Sequence, residues 1–224
     1  MAADTVSPSR QRRKEARPQQ LLDAALALFV EKGFAATRSD EVARAAGVAK
    51  GTLYLYYPSK EELFKAVVRH NVSGLLSEVE ALVARYEGGT PELLRNLMQI
   101  WWERFGNTPA SGIHKVMVAE VRNFPELAQF YSDEVIDRSN RLLSAVVQRG
   151  IDRGEFRPVP VHEVAVMLVM PIIFLALHRH SFGCCQVEGS EMDPMSVMRT
   201  HMDVALRGLA APAGEGQANV KHAA

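Results

Sequence analysis

Cysteine is scarce in this chain: two in 224 residues, adjacent at Cys184 and Cys185. A disulfide framework is thereby excluded, since neighbouring cysteines bond each other only with strain, and reduced thiols are expected. Net charge is absent too, with 26 Lys and Arg against 26 Asp and Glu, which argues against a molecule that coats nucleic acid with its whole surface. No charge-free apolar run reaches the length of about 18 residues that spans a bilayer. The nearest, residues 164–177, is shorter, and no apolar segment follows the N-terminal basic residues as it would in a secretory signal. The chain is therefore expected in the cytoplasm, without a membrane partner. Phosphate-loop, dinucleotide, nucleophile-elbow and zinc-protease patterns are all missing. The seven histidines, His70, His114, His162, His178, His180, His201 and His222, have no evident carboxylate or nucleophile partner. No catalytic residue, resident metal or cofactor is expected.

Strand-like alternation bounded by turn residues is also missing. What the chain has instead is helical periodicity from end to end. Leu21/Leu22, Ala25 and Leu28/Phe29 carry a first helix from Arg17, with Pro18 at its N-terminus and Gly33 as its stop. Residues 60–86 form a long helix stopped by Gly88-Gly89, and Pro91 opens another that Gly106 ends. Further helices are predicted over 114–122, 125–131, 132–153, 161–182 and 194–209. The segment after Ala210, rich in Ala, Gly and Pro, is expected to be disordered.

Charge is distributed unevenly. Residues 1–60 hold ten Lys and Arg against six Asp and Glu; residues 61–224 hold sixteen against twenty. A basic N-terminal part with an acidic remainder suits a chain whose two parts meet different partners. Arg10, Arg12, Arg13, Lys14 and Arg17 form a basic run, which either follows phosphates in a salt-sensitive manner or is a solvated tail.

Residues 37–60, TRSDEVARAAGVAKGTLYLYYPSK, carry the sharpest signal. Val42, Ala43 and Ala46 lead to Gly47, where a positive φ suits a tight turn, and Val48 and Leu53 resume the apolar spacing. The pattern is a helix-turn-helix, whose second helix enters the major groove. Candidate DNA contacts are Thr37, Arg38 and Ser39, then Lys50, Gly51, Thr52, Tyr54 and Tyr56, then Lys60 in the first turn of the next helix. Lys50 supplies a charge for phosphate, Thr52 a hydroxyl, Gly51 a close backbone approach, and the tyrosines rings with polar tips. Ser59 and Glu62 have the spacing of a capping box. Tyr57 is assigned to the core.

Residues 18–72 resemble the DNA-binding domain of the TetR family of transcriptional regulators. The resemblance is carried by Phe29, Gly33-Phe34, Thr37, Val42-Ala43, Ala46-Gly47-Val48, Lys50-Gly51-Thr52-Leu53-Tyr54 and Lys60-Glu61-Glu62-Leu63-Phe64. Position 49 departs from the pattern: Ala49 stands where such proteins have a small hydroxyl residue, so a helix cap worth about 1 kcal/mol is lost. The resemblance implies an all-α fold of about nine helices, with an N-terminal three-helix DNA-binding domain and a C-terminal helical ligand-binding and dimerisation domain. Boundaries are placed at 1–14 for a basic, disordered arm, 15–75, 76–210, and 211–224 for a tail. It further implies a homodimer through helices near 161–182 and 194–209, a palindromic double-stranded DNA operator, and repression relieved by a small, largely apolar effector.

Candidate effector-lining residues are Trp101, Trp102, Phe105, Met117, Met167, Met170, Phe174 and His178, with Glu120 as a polar anchor. Flexible Met and flat aromatics suit a roomy apolar pocket, although each alone also suits ordinary core packing. Pro171 interrupts the hydrogen bonding of an apolar helix. Two alternatives remain open. His178, His180, Cys184 and Cys185 lie within eight residues and contain metal- and thiol-chemistry side chains, though at irregular spacing. A helical ligand-binding protein or enzyme that merely resembles a DNA binder is the other.

Overall fold

The computed structural model describes residues 8–183 and 192–212, with side chains from residue 17 onward. Its elements in chain order are α1 (Pro8–Lys32), α2 (Ser39–Ala45), α3 (Lys50–Tyr56), α4 (Lys60–Val68), α5 (Gly74–Arg85), α6 (Thr90–Trp101), α7 (Gly112–Glu120), α8 (Pro125–Tyr131), α9 (Asp137–Asp152), α10 (Val161–Ser181) and α11 (Pro194–Leu209). Single π-helical turns at Arg69–Ser73 and Ser132–Ile136 join α4 to α5 and α8 to α9, while a third, Trp102–Gly106, ends α6. The described residues thus form nine helical rods and no strand; one isolated antiparallel bridge pairs Phe156 with Ala210.

One expectation changes. Helix α1 begins at Pro8 and carries Pro18 inside it, so residues 8–14 belong to a helix and not to a disordered arm. Proline at 18 removes one backbone hydrogen bond, but the preceding Gln, Arg, Lys, Glu and Ala are strong helix formers and sustain the helix through it. Helix α10 is longer than its charge-free run: 21 residues, long and apolar enough by length and composition to cross a bilayer. One of its faces, with Ala165, Leu168, Ile172, Leu175 and Ala176, is buried in the protein core. Residues 1–7, Cys184, Cys185 and 213–224 lie outside the described residues.

Two apolar cores organise the rods. The first joins α1, α2, α3 and α4 through Phe29, Phe34, Phe64, Val42 and Leu53, and extends into α7 and α8 through Ile113, Val116 and Leu127. Phe34 meets Phe64 edge-on at 5.4 Å and Phe124, from the segment before α8, at 4.7 Å. The second gathers α6, α9, α10 and α11 around Leu93, Leu94, Val146, Val147, Leu168 and Met202. Residue 75 lies within the unbroken α4–α5 rod, so the helix-turn-helix and the larger helical part share a helix.

Candidate DNA interface and effector cavity

At the turn of the helix-turn-helix, Gly47 takes φ +67°, and the Val48 amide donates to the Ala43 carbonyl at 2.9 Å. Ala49 caps α3 with no side-chain hydrogen bond, as its methyl group requires. Leu53 is buried beneath α3, whereas Lys50, Gly51, Tyr54 and Leu55 face outward. Lys50 Nζ sits 5.9 Å from the centre of the Tyr54 ring, so charge and aromatic face form one surface. Thr52 is half-buried; Tyr56 and Tyr57 pack on the core from its edge, and burial raises the Tyr57 phenol. Arg38 is exposed and pairs with Asp40 at 3.2 Å; Ser39 is half-buried at the start of α2.

The side chains of Thr37 and Lys60 are engaged within the protein. Thr37 is buried, its hydroxyl between the Gly33 carbonyl at 2.7 Å and the Leu28 carbonyl at 3.2 Å. Lys60 Nζ donates to the carbonyls of Phe34, Ala35 and Thr37 at 2.8, 3.2 and 3.1 Å and covers the Phe34 ring at 4.4 Å. All three ammonium donors thus fasten the α1–α2 connection to α4. Sequence spacing shows that Lys60 opens a helix, but not that three carbonyls from a distant turn converge on it. Ser59 Oγ does accept from the Glu62 amide at 3.1 Å. Leu55, two residues beyond the buried Leu53 and so on the opposite side of α3, is 80% exposed beside Tyr54.

A cavity of about 580 Å³ lies in the larger helical part, within the usual size range of ligand sites. Five of the sequence candidates line it: Trp101, Phe105, Met117, Met170 and Phe174. The remaining walls come chiefly from Leu75, Leu76 and Val79 of α5, Leu97 and Met98 of α6, and Val166, Val169 and Ile173 of α10. The three π-helical turns flank it, contributing Val72, Phe105, Val135 and Ile136. Among the described residues no Asp, Glu, Lys or Arg lines the cavity; its polar lining is His114, Tyr131, Ser139 and Asn140, with the indole of Trp101.

Four candidates lie elsewhere. Trp102 and His178 line a separate space of about 330 Å³, because Trp102 is turned one residue beyond Trp101 and His178 one beyond Leu177. Met167 is 65% exposed on the outer face of α10. Glu120, at the end of α7, accepts the Ala35 amide at 2.9 Å, linking a cavity-wall helix to the turn before α2; a Cβ at Gly33 would lie only 3.3 Å from the same carboxylate oxygen. Gly33 itself takes φ +86° to close α1.

His114 was not singled out by sequence spacing, since a lone His in an apolar run has many readings. Its ring is buried, with Nδ1 2.6 Å from the Tyr131 hydroxyl and Nε2 without a hydrogen-bond partner. Burial, and then the charge of His180, push its pKa down from 6.5 to about 4; burial alone pushes the Tyr131 phenol up. The His178/His180 pair divides: His180 Nε2 meets Ser111 Oγ at 2.8 Å, whereas the His178 ring lies tilted between Phe174 and Phe182. No group of three potential metal ligands occurs among the described residues.

Known proteins agree with this arrangement. Residues 21–67 match the model of bacterial regulatory proteins of the tetR family, and residues 87–182 match the tetracyclin repressor-like C-terminal domain. The HTH-type transcriptional repressor KstR2 of Rhodococcus jostii is 25% identical over 200 residues, covering 89% of this chain and 94% of that one. An uncharacterised HTH-type regulator of Bacillus subtilis, YfiR, is 29% identical over 65% of this chain and 71% of its own. In structure, the Bacillus subtilis regulator FadR in complex with stearoyl-CoA superposes with a TM-score of 0.70 at 20% identity, covering 85% of this chain and 98% of that one. The two family models together span well over half the chain and meet the two parts the structure displays, a helix-turn-helix and a helical ligand-cavity domain: the protein belongs to the TetR family of ligand-responsive, DNA-binding transcriptional regulators.

Proposed function

We propose that the protein is a repressor that binds a palindromic operator as a homodimer and leaves it when a small, largely apolar effector enters the cavity. The observation that carries this reading is the shared wall. Helix α7 lines the cavity through Met117 and holds the α1–α2 turn through Glu120. Lys115 reaches the Val30 carbonyl at 3.4 Å from the same helix. An effector that displaces α7 or the α4–α5 rod thereby shifts the recognition helix α3 relative to that of a second copy. Ligand binding changes DNA affinity only through such a difference between the two states.

The dimer face assigned here is the outer side of α10 and α11. Met167, Phe182 and Val204 are exposed there, next to Met170 and Phe174 at the open edge of the cavity, and large apolar patches of this kind mark association surfaces. Two recognition helices about one DNA turn apart then match a palindrome. Repression, not activation, is favoured by the name of KstR2, which aligns over most of this chain. The activator FasR of Mycolicibacterium smegmatis matches over 30% of the chain only. A DNA-binding regulator of this kind works in the cytoplasm and without catalysis.

Genome-wide footprinting of the bound DNA yields the operator, and calorimetry then tests the coupling. Operator DNA is expected to weaken effector affinity by the same factor as the effector weakens operator affinity. Equal effector affinity with and without operator overturns the release mechanism.

A further inference from the structure

Within the cavity's polar lining, His114 and Tyr131 form a buried, hydrogen-bonded pair. The inference from this pair rests on reading the cavity as the effector site. His114 is held from both sides: Trp101 stacks on its ring with centroids 6.3 Å apart and planes 19° apart, and Phe105 approaches edge-on at 5.2 Å. The Tyr131 hydroxyl fixes its Nδ1 at 2.6 Å. A phenol is the better donor and an imidazole nitrogen the better acceptor, so the proton of this bond belongs to Tyr131, and the ring's own proton sits on Nε2. That N–H is buried and has no partner. A buried donor left unpaired costs about 1–3 kcal/mol, a cost that a bound acceptor removes.

From this geometry we infer that the effector is an apolar molecule carrying an uncharged carbonyl, as in a ketone or ester, whose oxygen accepts from His114 Nε2 while its hydrocarbon part fills the space lined by Leu75, Leu97, Met117, Val169 and Ile173. A free carboxylate is disfavoured, because among the described residues no Lys or Arg lines the cavity and an unpaired buried charge is strongly penalised. Burial keeps the imidazole neutral at pH 7, so His114 offers a hydrogen bond and not a positive charge.

The test uses the full-length protein, with 2-tridecanone and tridecanoate as probes of matched length at pH 8, followed by tryptophan fluorescence and calorimetry. The ketone is expected to bind roughly tenfold or more tightly than the carboxylate. His114→Leu is expected to weaken ketone binding about tenfold while leaving tridecanoate little changed, and His114→Gln, which retains a donor, to recover most of the loss. Ketone affinity unaffected by His114→Leu in a protein of normal melting behaviour, no recovery in His114→Gln, or tighter binding of tridecanoate by the wild type would overturn the inference while leaving the cavity an apolar effector site. Failure of both probes to bind the wild type overturns the effector-site reading itself.

Discussion

Lys50 and Lys60 are both single lysines at the start of short helices, yet their surroundings divide their roles. Lys50 is exposed over Tyr54, while Lys60 spends its donors on three carbonyls. Lys50→Ala is expected to lower operator affinity and reduce the slope of log affinity against log salt by about one. Lys60→Ala should leave that slope near the wild-type value and lower folding stability by about 1–3 kcal/mol, read as a fall in the thermal midpoint. His114 supplies a pH dependence. Its folded pKa lies below its unfolded one, so its contribution is complete above pH 6.5 and is lost as the pH falls toward 4. The unfolded chain then binds a proton that the folded chain refuses, which amounts to about 3 kcal/mol across that window. Urea midpoints at pH 7.5 and pH 5 should separate further for the wild type than for His114→Gln. The Lys50 surface was legible from residue type and helix phase; the Lys60 clamp and the His114–Tyr131 pair were not, because both depend on groups brought from elsewhere in the chain.

At the scale of elements, caps and breakers set most helix ends. Gly33 and Gly47 close α1 and the helix-turn-helix turn with positive φ, and Asp193 caps α11 by accepting from Met195 and Ser196. Pro171 leaves α10 continuous although it withholds a donor from the Met167 carbonyl; one residue on, His201 of α11 approaches the Leu168 carbonyl at 3.2 Å and ties the two helices. The π-helical turns were invisible in the sequence, since each is one extra residue absorbed within a periodic run. Two of them face each other: Arg69 and Ser73 on one reach Glu134 on the other, at 3.2 and 3.3 Å. Beside the shared α4–α5 rod, helix α7 adds a side-chain tie to the DNA-binding part through Glu120. Glu120→Ala should leave the cavity's affinity for an effector nearly intact. The factor by which operator DNA and effector weaken each other should move toward one, as calorimetry in the presence of operator will read.

For the proposed dimer, the decisive quantity is the separation of two recognition helices, which no single chain determines. The exposed Met167 and Val204, 65% and 66% accessible on α10 and α11, lie outside the cavity lining. The double variant Met167→Asp, Val204→Asp is expected to shift the mass measured by light scattering from two chains toward one. Operator affinity should fall with it, because a lone helix-turn-helix loses the second half-site. A mass unchanged from the wild type assigns the dimer to another face.

Taken alone, the sequence determined the helical class, the turn at Gly47, the uncapped Ala49 and the outward set around Lys50 and Tyr54, because each depends on contacts within a few residues. Tertiary structure decided which aromatic and sulfur side chains share a cavity. Trp101 and Trp102, or Leu177 and His178, are neighbours in sequence but are turned about 100° apart around a helix, and so face different spaces. It also decided that Glu120 accepts the Ala35 amide and that three carbonyls converge on Lys60 Nζ. Such assignments arise only when distant segments converge, which local periodicity does not encode.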